Sequence, residues 1–236
     1  MTSHHNALLA RLSRADEADF FSHLTEFNAP KRTVLYQAGE DVEYVYFPTA
    51  GMISLLTMMD DGQCLETSAV GREGAAGFNA ALSGRNINCR AVVQLDLQSF
   101  RMSKVSFRQA FSGSPGVRRI VHHANELLID QIQRTAACHV FHSTEARLAR
   151  WLLQTQDHAG KAEIDLTQEY LAEMLGVLRS TVSVVAARFQ KDGLIRYRRG
   201  HLNILNRTGL VRLCCECYQP LSSPALPEKD RKLSRS

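Results

Sequence analysis

Leu166-Thr-Gln-Glu-Tyr-Leu-Ala-Glu-Met-Leu-Gly176 and, two residues on, Arg179-Ser-Thr-Val-Ser-Val-Val-Ala-Ala-Arg-Phe-Gln190 have the spacing of two short helices joined by a tight turn. In the first, Thr167 is placed to cap the N-terminus, Glu169 lies in the first turn, and Tyr170, Leu171, Met174 and Leu175 form one apolar face. Gly176 supplies the permissive turn residue. In the second, Val182, Val185, Ala186 and Phe189 recur at three- and four-residue steps, the period of a helix buried along one side. Two short helices about a glycine turn make a helix-turn-helix.

Burying that face turns Arg179, Ser180, Ser183 and either Ala187 or Arg188 outward, with the donors gathered at the helix N-terminus, the end that enters a DNA major groove. Arg179 can donate two hydrogen bonds to guanine O6 and N7, while Ser180, Thr181 and Ser183 suit base edges or phosphates. Thr167 and Gln168, opening the supporting helix, suit a phosphate through side chain and amide. After Asp192-Gly193, the run Leu194-Ile-Arg-Tyr-Arg-Arg-Gly-His-Leu-Asn-Ile-Leu alternates and turns at Arg199-Gly200. It reads as a two-stranded wing with Arg196, Arg198, Arg199 and His201 near its tip. Any one of these cations would suit an ordinary solvated surface; their grouping points to a polyanion.

The 236-residue chain is 44% hydrophobic and 22% charged with a net charge of +4, which fits a globular chain of two modest domains and excludes collagen-like and disordered classes. No apolar run reaches the length of a membrane-spanning helix. The charge is unevenly placed: residues 1–113 carry a net −2, residues 114–163 a net +1, residues 164–217 a net +3 and residues 218–236 a net +2. An acidic front and a basic back are expected of a chain whose C-terminal part meets double-stranded DNA.

Upstream, residues 7–28 carry apolar residues near helical spacing and read as a short helical entry. Val34-Leu-Tyr, Tyr44-Val-Tyr-Phe, Met52-Ile-Ser-Leu-Leu-Thr-Met-Met and Cys64-Leu-Glu-Thr-Ser-Ala-Val read as short strands, separated by turn chemistry at Ala38-Gly-Glu, Pro48-Thr-Ala-Gly51 and Asp60-Asp-Gly62. A further strand pair is expected at Cys89–Val93 and Leu95–Met102. Strands this short and regular suggest a sandwich or barrel. After Ser114-Pro-Gly116, the residues Val117, Val121, Ala124, Leu128, Ile132 and either Thr135 or Ala136 mark a helix from 115 to about 139, roughly 37 Å long. A helix of that length outruns a small β-domain, so part of its stripe is expected against a second copy of the chain. Residues 144–158 read as another helix, capped by Thr144 and carrying Trp151 into the core.

Over roughly residues 8–210 the chain resembles the Crp/Fnr family of bacterial transcription regulators. Leu35-Tyr-Gln-Ala-Gly-Glu, Tyr44-Val-Tyr-Phe-Pro-Thr-Ala-Gly-Met-Ile-Ser-Leu and Val70-Gly-Arg-Glu-Gly-Ala-Ala-Gly-Phe resemble its cyclic-nucleotide-binding-like roll. Glu145-Ala-Arg-Leu-Ala-Arg-Trp-Leu-Leu and the two motif helices resemble its winged helix-turn-helix. The resemblance implies an α+β fold: an N-terminal jelly-roll-like β-roll (1–113), a long central dimerisation helix (114–140) and a winged helix-turn-helix (141–217), while the Pro- and Ser-rich, then charged run after them reads as a disordered tail (218–236). It further implies a homodimer on a palindromic operator, with RNA polymerase a candidate partner and a signal passing from roll to head.

The departures from the family pattern are specific. Where nucleotide-binding members carry a ribose-binding glutamate and an Arg-Ser or Arg-Thr pair for the phosphate, this chain offers Gly77-Phe78 and Ile87-Asn88, with Arg85 and Arg90 out of register. An effector other than cAMP is therefore expected, of unknown identity. At the recognition helix, Ser180 and Val184 stand where family members place a glutamate and an arginine, so specificity at the corresponding base pair should relax or change.

Members with an iron–sulfur cluster have an N-terminal cysteine group, and here no cysteine precedes Cys64. Cys214-Cys-Glu-Cys217 reads as a capping helix with incidental thiols, because a CCxC run lacks a nearby fourth ligand and the spacing of zinc or iron–sulfur sites. His122, His123, His139 and His142 read as helix-surface residues, so no metal or cofactor is expected. No glycine-rich phosphate loop, nucleophile elbow or zinc-protease helix appears, and no enzymatic activity is read. The opening residues, Met1-Thr-Ser-His-His-Asn, lack the charged and apolar regions of a secretory signal, which sets the expectation of a cytoplasmic protein with reduced thiols.

Overall fold

The computed structural model describes residues 6–160 and 163–220; most of the expected tail lies outside them, as does Lys161. The front half runs from a 3-10 turn (Leu9–Arg11) and α1 (Arg14–Ser22) through β1 (Thr25–Ala29), β2 (Val34–Tyr36), β3 (Tyr44–Met58), β4 (Cys64–Val70), α2 (Phe78–Ser83), β5 (Arg90–Ser103) and α3 (Lys104–Gly113). The sheet is antiparallel in the order β1-β5-β3-β4, with β2 also paired to β5. The Asp60-Asp-Gly62 turn joins β3 to β4, with Gly62 at φ 85°.

Three expectations change here. Pro48-Thr-Ala-Gly51 is no turn: β3 runs through it, and the register against β5 shifts at Pro48/Ala50 and Ala50/Met52. Those bulges absorb the proline's missing donor and let Gly51 adopt φ 84°, where a methyl group would run into the Asp96 carbonyl of β5. The two strands expected at 89–93 and 95–102 are one strand, β5, which bonds to β1, β2 and β3. The helical entry stops at Ser22, since Thr25–Ala29 pairs with Arg101–Leu97 and takes its conformation from that partner.

α4 (Pro115–Phe141) begins with Pro115 in its first turn and a Ser114 side-chain cap on the Val117 amide. At 27 residues it is about 40 Å long. Its N-terminal half buries Val117, Ile120, Val121 and Ala124 against Phe20, Phe47, Phe78 and Phe107 of the roll. Beyond that cover, Leu127, Ile129 and Ile132 are 37%, 53% and 40% exposed.

Two residues after α4 the head begins, with α5 (Thr144–Ala159), β6 (Glu163–Asp165), α6 (Gln168–Leu175), α7 (Arg179–Lys191), β7 (Ile195–Arg198), β8 (His201–Ile204) and α8 (Arg207–Leu213). The cap of α5 is Ser143, not Thr144: its hydroxyl accepts from the Ala146 amide. One core joins Leu148, Trp151, Leu152, Leu171, Met174, Val182, Phe189 and Leu202, and it continues into the roll through Leu56 and Val92. At that seam the Trp151 indole donates to Glu66 Oε1 at 3.0 Å, the Ser54 hydroxyl donates to the other Glu66 oxygen, and the Tyr170 hydroxyl donates to Gln94. Burial pushes the Glu66 carboxyl up to about 7, against the pull of these two donors and the Arg150 charge. No single helix among the described residues is long and apolar enough to cross a membrane.

Candidate nucleic-acid interface

The Thr167 hydroxyl accepts from the Tyr170 amide, Gly176 closes α6 at φ 59°, and the axes of α6 and α7 turn by 110°, the geometry of a helix-turn-helix. Leu171, Met174, Val182, Ala186 and Phe189 are buried and Val185 half-buried, so the apolar faces read from the spacing do pack inward. The outer face of α7 carries Arg179, Ser180, Val184 and Ala187, all exposed.

Arg179 is anchored from behind: its Nε lies 2.9 Å from Glu169 Oε1 in an ion pair, with both side chains more than half exposed. The pair leaves the remaining guanidinium N–H groups free to point away from the protein and restricts the rotamers of a long side chain before any partner arrives. The Ser183 hydroxyl donates to Gln168 Oε1 at 2.6 Å and lies 3.0 Å from the Arg179 carbonyl. Ser183 and Gln168 therefore brace the two helices, while Thr181 is half-buried beside them.

Arg188 goes elsewhere. Its Nη1 pairs with Glu145 of α5 at 2.9 Å, with Asp192 on its other side at 3.9 Å, which ties the end of α7 to the first turn of α5. Ala187 and Arg188 both face outward, and Arg188 stays as open as Arg179, 63% against 65% exposed, while paired to Glu145. The spacing of α7 could not reveal this, because the partner lies 43 residues away in another element.

The wing forms at the expected place. β7 pairs with β8, and Arg199 (φ 51°) and Gly200 (φ 83°) make the two-residue turn whose positive φ at both positions matches the strand twist. Arg196, Arg198 and Arg199 are exposed. β6, which the sequence reading did not single out, pairs with β8 as a third strand. Beside the turn, at the wing's tip, Asp165 holds His201 Nδ1 at 2.5 Å and Lys31 of the roll at 3.0 Å, so His201 is engaged and the arginines carry the free charge.

The Crp-like helix-turn-helix domain matches residues 146–213, and the cyclic nucleotide-binding domain matches residues 26–114. The chain belongs to the Crp/Fnr family of transcription regulators. This regulator is 23% identical over 188 residues to the cAMP-activated global transcriptional regulator CRP of Pasteurella multocida, a match spanning 75% of this chain and 88% of that protein. Its fold is similar to that of a crp/fnr family regulator from Eubacterium rectale, with a TM-score of 0.73 at 18% identity over 89% of this chain and 98% of the other. FixK2 of Bradyrhizobium japonicum follows with a TM-score of 0.68 at 19% identity, covering 81% and 98% of the two chains.

The roll differs in chemistry from a phosphate pocket at the positions read from the sequence. Phe78 is packed in the aromatic core under α4, and Gly77 precedes it at φ 87°. Ile87 is half-buried and exchanges backbone hydrogen bonds with Gly39 and Glu40, while Asn88 and Arg85 face outward. A cleft of about 420 Å³ opens instead where β4 meets α4 and α5, lined by Glu73, His123, Gln131, Arg134 and His158.

The cysteines depart most from expectation. Cys214 turns aside, but Cys215 and Cys217 converge on Cys138 and His142 from the end of α4, which supplies the further ligands that the CCxC run lacks in sequence. Cys138 and His142 are spaced i, i+4, and that spacing was the available signal.

Proposed function

We propose that this regulator binds a two-fold DNA operator as a homodimer, with the α7 N-terminus in the major groove and the wing against the flanking backbone. The observation that carries the reading is Arg179, exposed at the first position of α7 and held by Glu169 with donors to spare. Ser180 reaches base edges beside it; Thr167, Gln168, Thr181 and Ser183 set the helix pair on the phosphates, and Arg196, Arg198 and Arg199 add sequence-independent charge. Arg188, exposed while paired to Glu145, adds a further charge on the outer side of α7.

The partner copy packs on the outer half of α4, where Leu127, Ile129 and Ile132 are left exposed beyond the cover of the roll. Roll (1–113), helix (114–140) and head (141–217) then act as sensor, coupling rod and reader, in the cytoplasm, with RNA polymerase as the machinery acted upon. The effector is not cAMP: Phe78 fills core volume, and neither Ile87 nor Asn88 offers a guanidinium to a cyclic phosphate.

Selection of genomic fragments by the full chain, followed by footprinting, tests the reading. The expected result is protection of two half-sites about one helical turn apart, by a species of two chains. Absence of any enriched palindrome at low salt would instead favour a module that acts through protein partners.

A further inference from the structure

Cys138, His142, Cys215 and Cys217 present three sulfur atoms and one imidazole nitrogen that all lie within 4.8 Å of one another. Cys138 Sγ and Cys215 Sγ are 3.5 Å apart, and Cys217 Sγ is 3.6 Å from His142 Nδ1. Ligands held tetrahedrally about one ion, with metal–sulfur bonds of about 2.3 Å and metal–nitrogen bonds of about 2.0 to 2.1 Å, lie about 3.5 to 3.8 Å from each other. The two pairs thus stand at the edge length of a single-ion tetrahedron. We propose that these four residues form a Cys3His site for one tetrahedral, thiophilic divalent cation, zinc by the chemistry of its donors.

Two further features of the surroundings favour an ion. His142 turns Nδ1 toward the sulfurs and Nε2 toward Glu216 Oε2 at 3.2 Å, the carboxylate–histidine arrangement that fixes the tautomer of a metal-bound imidazole and raises its basicity. Arg147 and Arg150 of α5 are buried, 7% and 6% exposed, and their Nε atoms have no hydrogen-bond partner among the described residues. Both guanidinium charges lie close enough to act on Cys138. On binding, each thiol releases its proton to solvent and the ion takes three thiolate bonds and the neutral Nδ1 lone pair, leaving a net charge of −1. The two buried arginines then face an anionic centre, which supplies what a buried cation requires.

Placement gives the site its consequence. Cys138 and His142 close the last turn of α4, while Cys215 and Cys217 follow α8 at the far end of the head. One ion therefore staples the head's C-terminal end to the helix that leaves the roll, across the two-residue connection His142-Ser143 on which the head would pivot. Sequence separations of 73 to 79 residues between the two ligand pairs make this a long-range constraint on the head's position.

The full chain, purified under reducing conditions, is assayed for bound metal by elemental analysis, then stripped and titrated with Co2+. The expected result is one zinc ion per chain and the thiolate charge-transfer and tetrahedral ligand-field bands of cobalt. Cys217→Ser, at a half-buried position that a serine fits, should lose the bands while keeping the wild-type circular dichroism spectrum. Cys214→Ser and Cys64→Ser should keep them. Glu216→Gln retains all four ligands and is expected to weaken Co2+ binding about 10-fold. The proposal is overturned if the reduced chain retains no metal and shows no cobalt–thiolate band, if Cys217→Ser binds as the wild type does, or if mass spectrometry of the reduced preparation finds Cys138 and Cys215 joined as a disulfide in place of a bound ion.

Discussion

Three arginines of the roll and of the helix that leaves it are used in the opposite way to those on the head's outer face. Arg101 stands 4.8 Å over the Phe27 ring and 4.3 Å over the Tyr44 ring, Arg108 donates to the Ala81 carbonyl, and Arg118 donates to the Phe111 and Ser112 carbonyls. Each serves the protein that carries it. On the head, Arg179, Arg196, Arg198 and Arg199 reach into solvent, and only Arg179 is anchored, by a carboxylate behind it. The same residue type is thus structural at one set of positions and available to a polyanion at the other. Neither the net charge of +4 nor the segment totals distinguish the two uses; the partners do.

The largest test lies at the seam between the halves. A carboxyl whose folded-state value is raised above its unfolded one favours the fold while protonated, so the stability Glu66 contributes is full below about pH 4.5 and is lost as pH rises through about 7. Urea unfolding at pH 5 and pH 8 should show the wild type losing up to about 3 kcal/mol relative to Glu66→Gln over that interval. Parallel behaviour of the two proteins would mean a solvated carboxyl and a looser seam.

Arg179→Ala comes next, with an expected loss of about 1 to 3 kcal/mol in specific binding and relaxed base preference at one position of each half-site, at unchanged melting temperature. Arg101→Ala is its counterpart: it should lower stability by about 1 kcal/mol through the lost cation–π stacking, and leave DNA affinity alone. If DNA affinity fell with Arg101 while stability held, the division of labour between the two halves would fail. The smallest effect is expected from Arg198→Ala, which should weaken binding to all sequences alike and reduce the slope of log K against log salt by about 1. A sequence-selective effect there would place the wing in a groove.

The head was legible in sequence because its signals are local. Thr167, Gly176 and the three- and four-residue steps of α7 each report on neighbours within one turn, and the Arg199-Gly200 turn lies between alternating strands. The long helix was legible for the same reason. What escaped depends on distant partners: β1 is a strand because β5 pairs with it, β3 continues through Pro48 and Gly51 because bulges absorb them, and Arg188 is paired to Glu145 of another element. The short helices α2 and α3 also escaped, since the strand texture around them dominates the pattern. At the cysteine run the sequence could not show that Cys138 and His142, at the end of α4, come to lie beside Cys215 and Cys217, because they stand 73 to 79 residues away in the chain.

Equilibrium binding of the wild type and Arg179→Ala to a selected operator, and to versions with each half-site base pair exchanged in turn, tests the central claim most directly. The α7 reading predicts one guanine in each half-site whose exchange costs the wild type about 1 to 3 kcal/mol and costs Arg179→Ala little more. Equal penalties for both proteins at every position would contradict it, and would remove Arg179 from the base-reading surface.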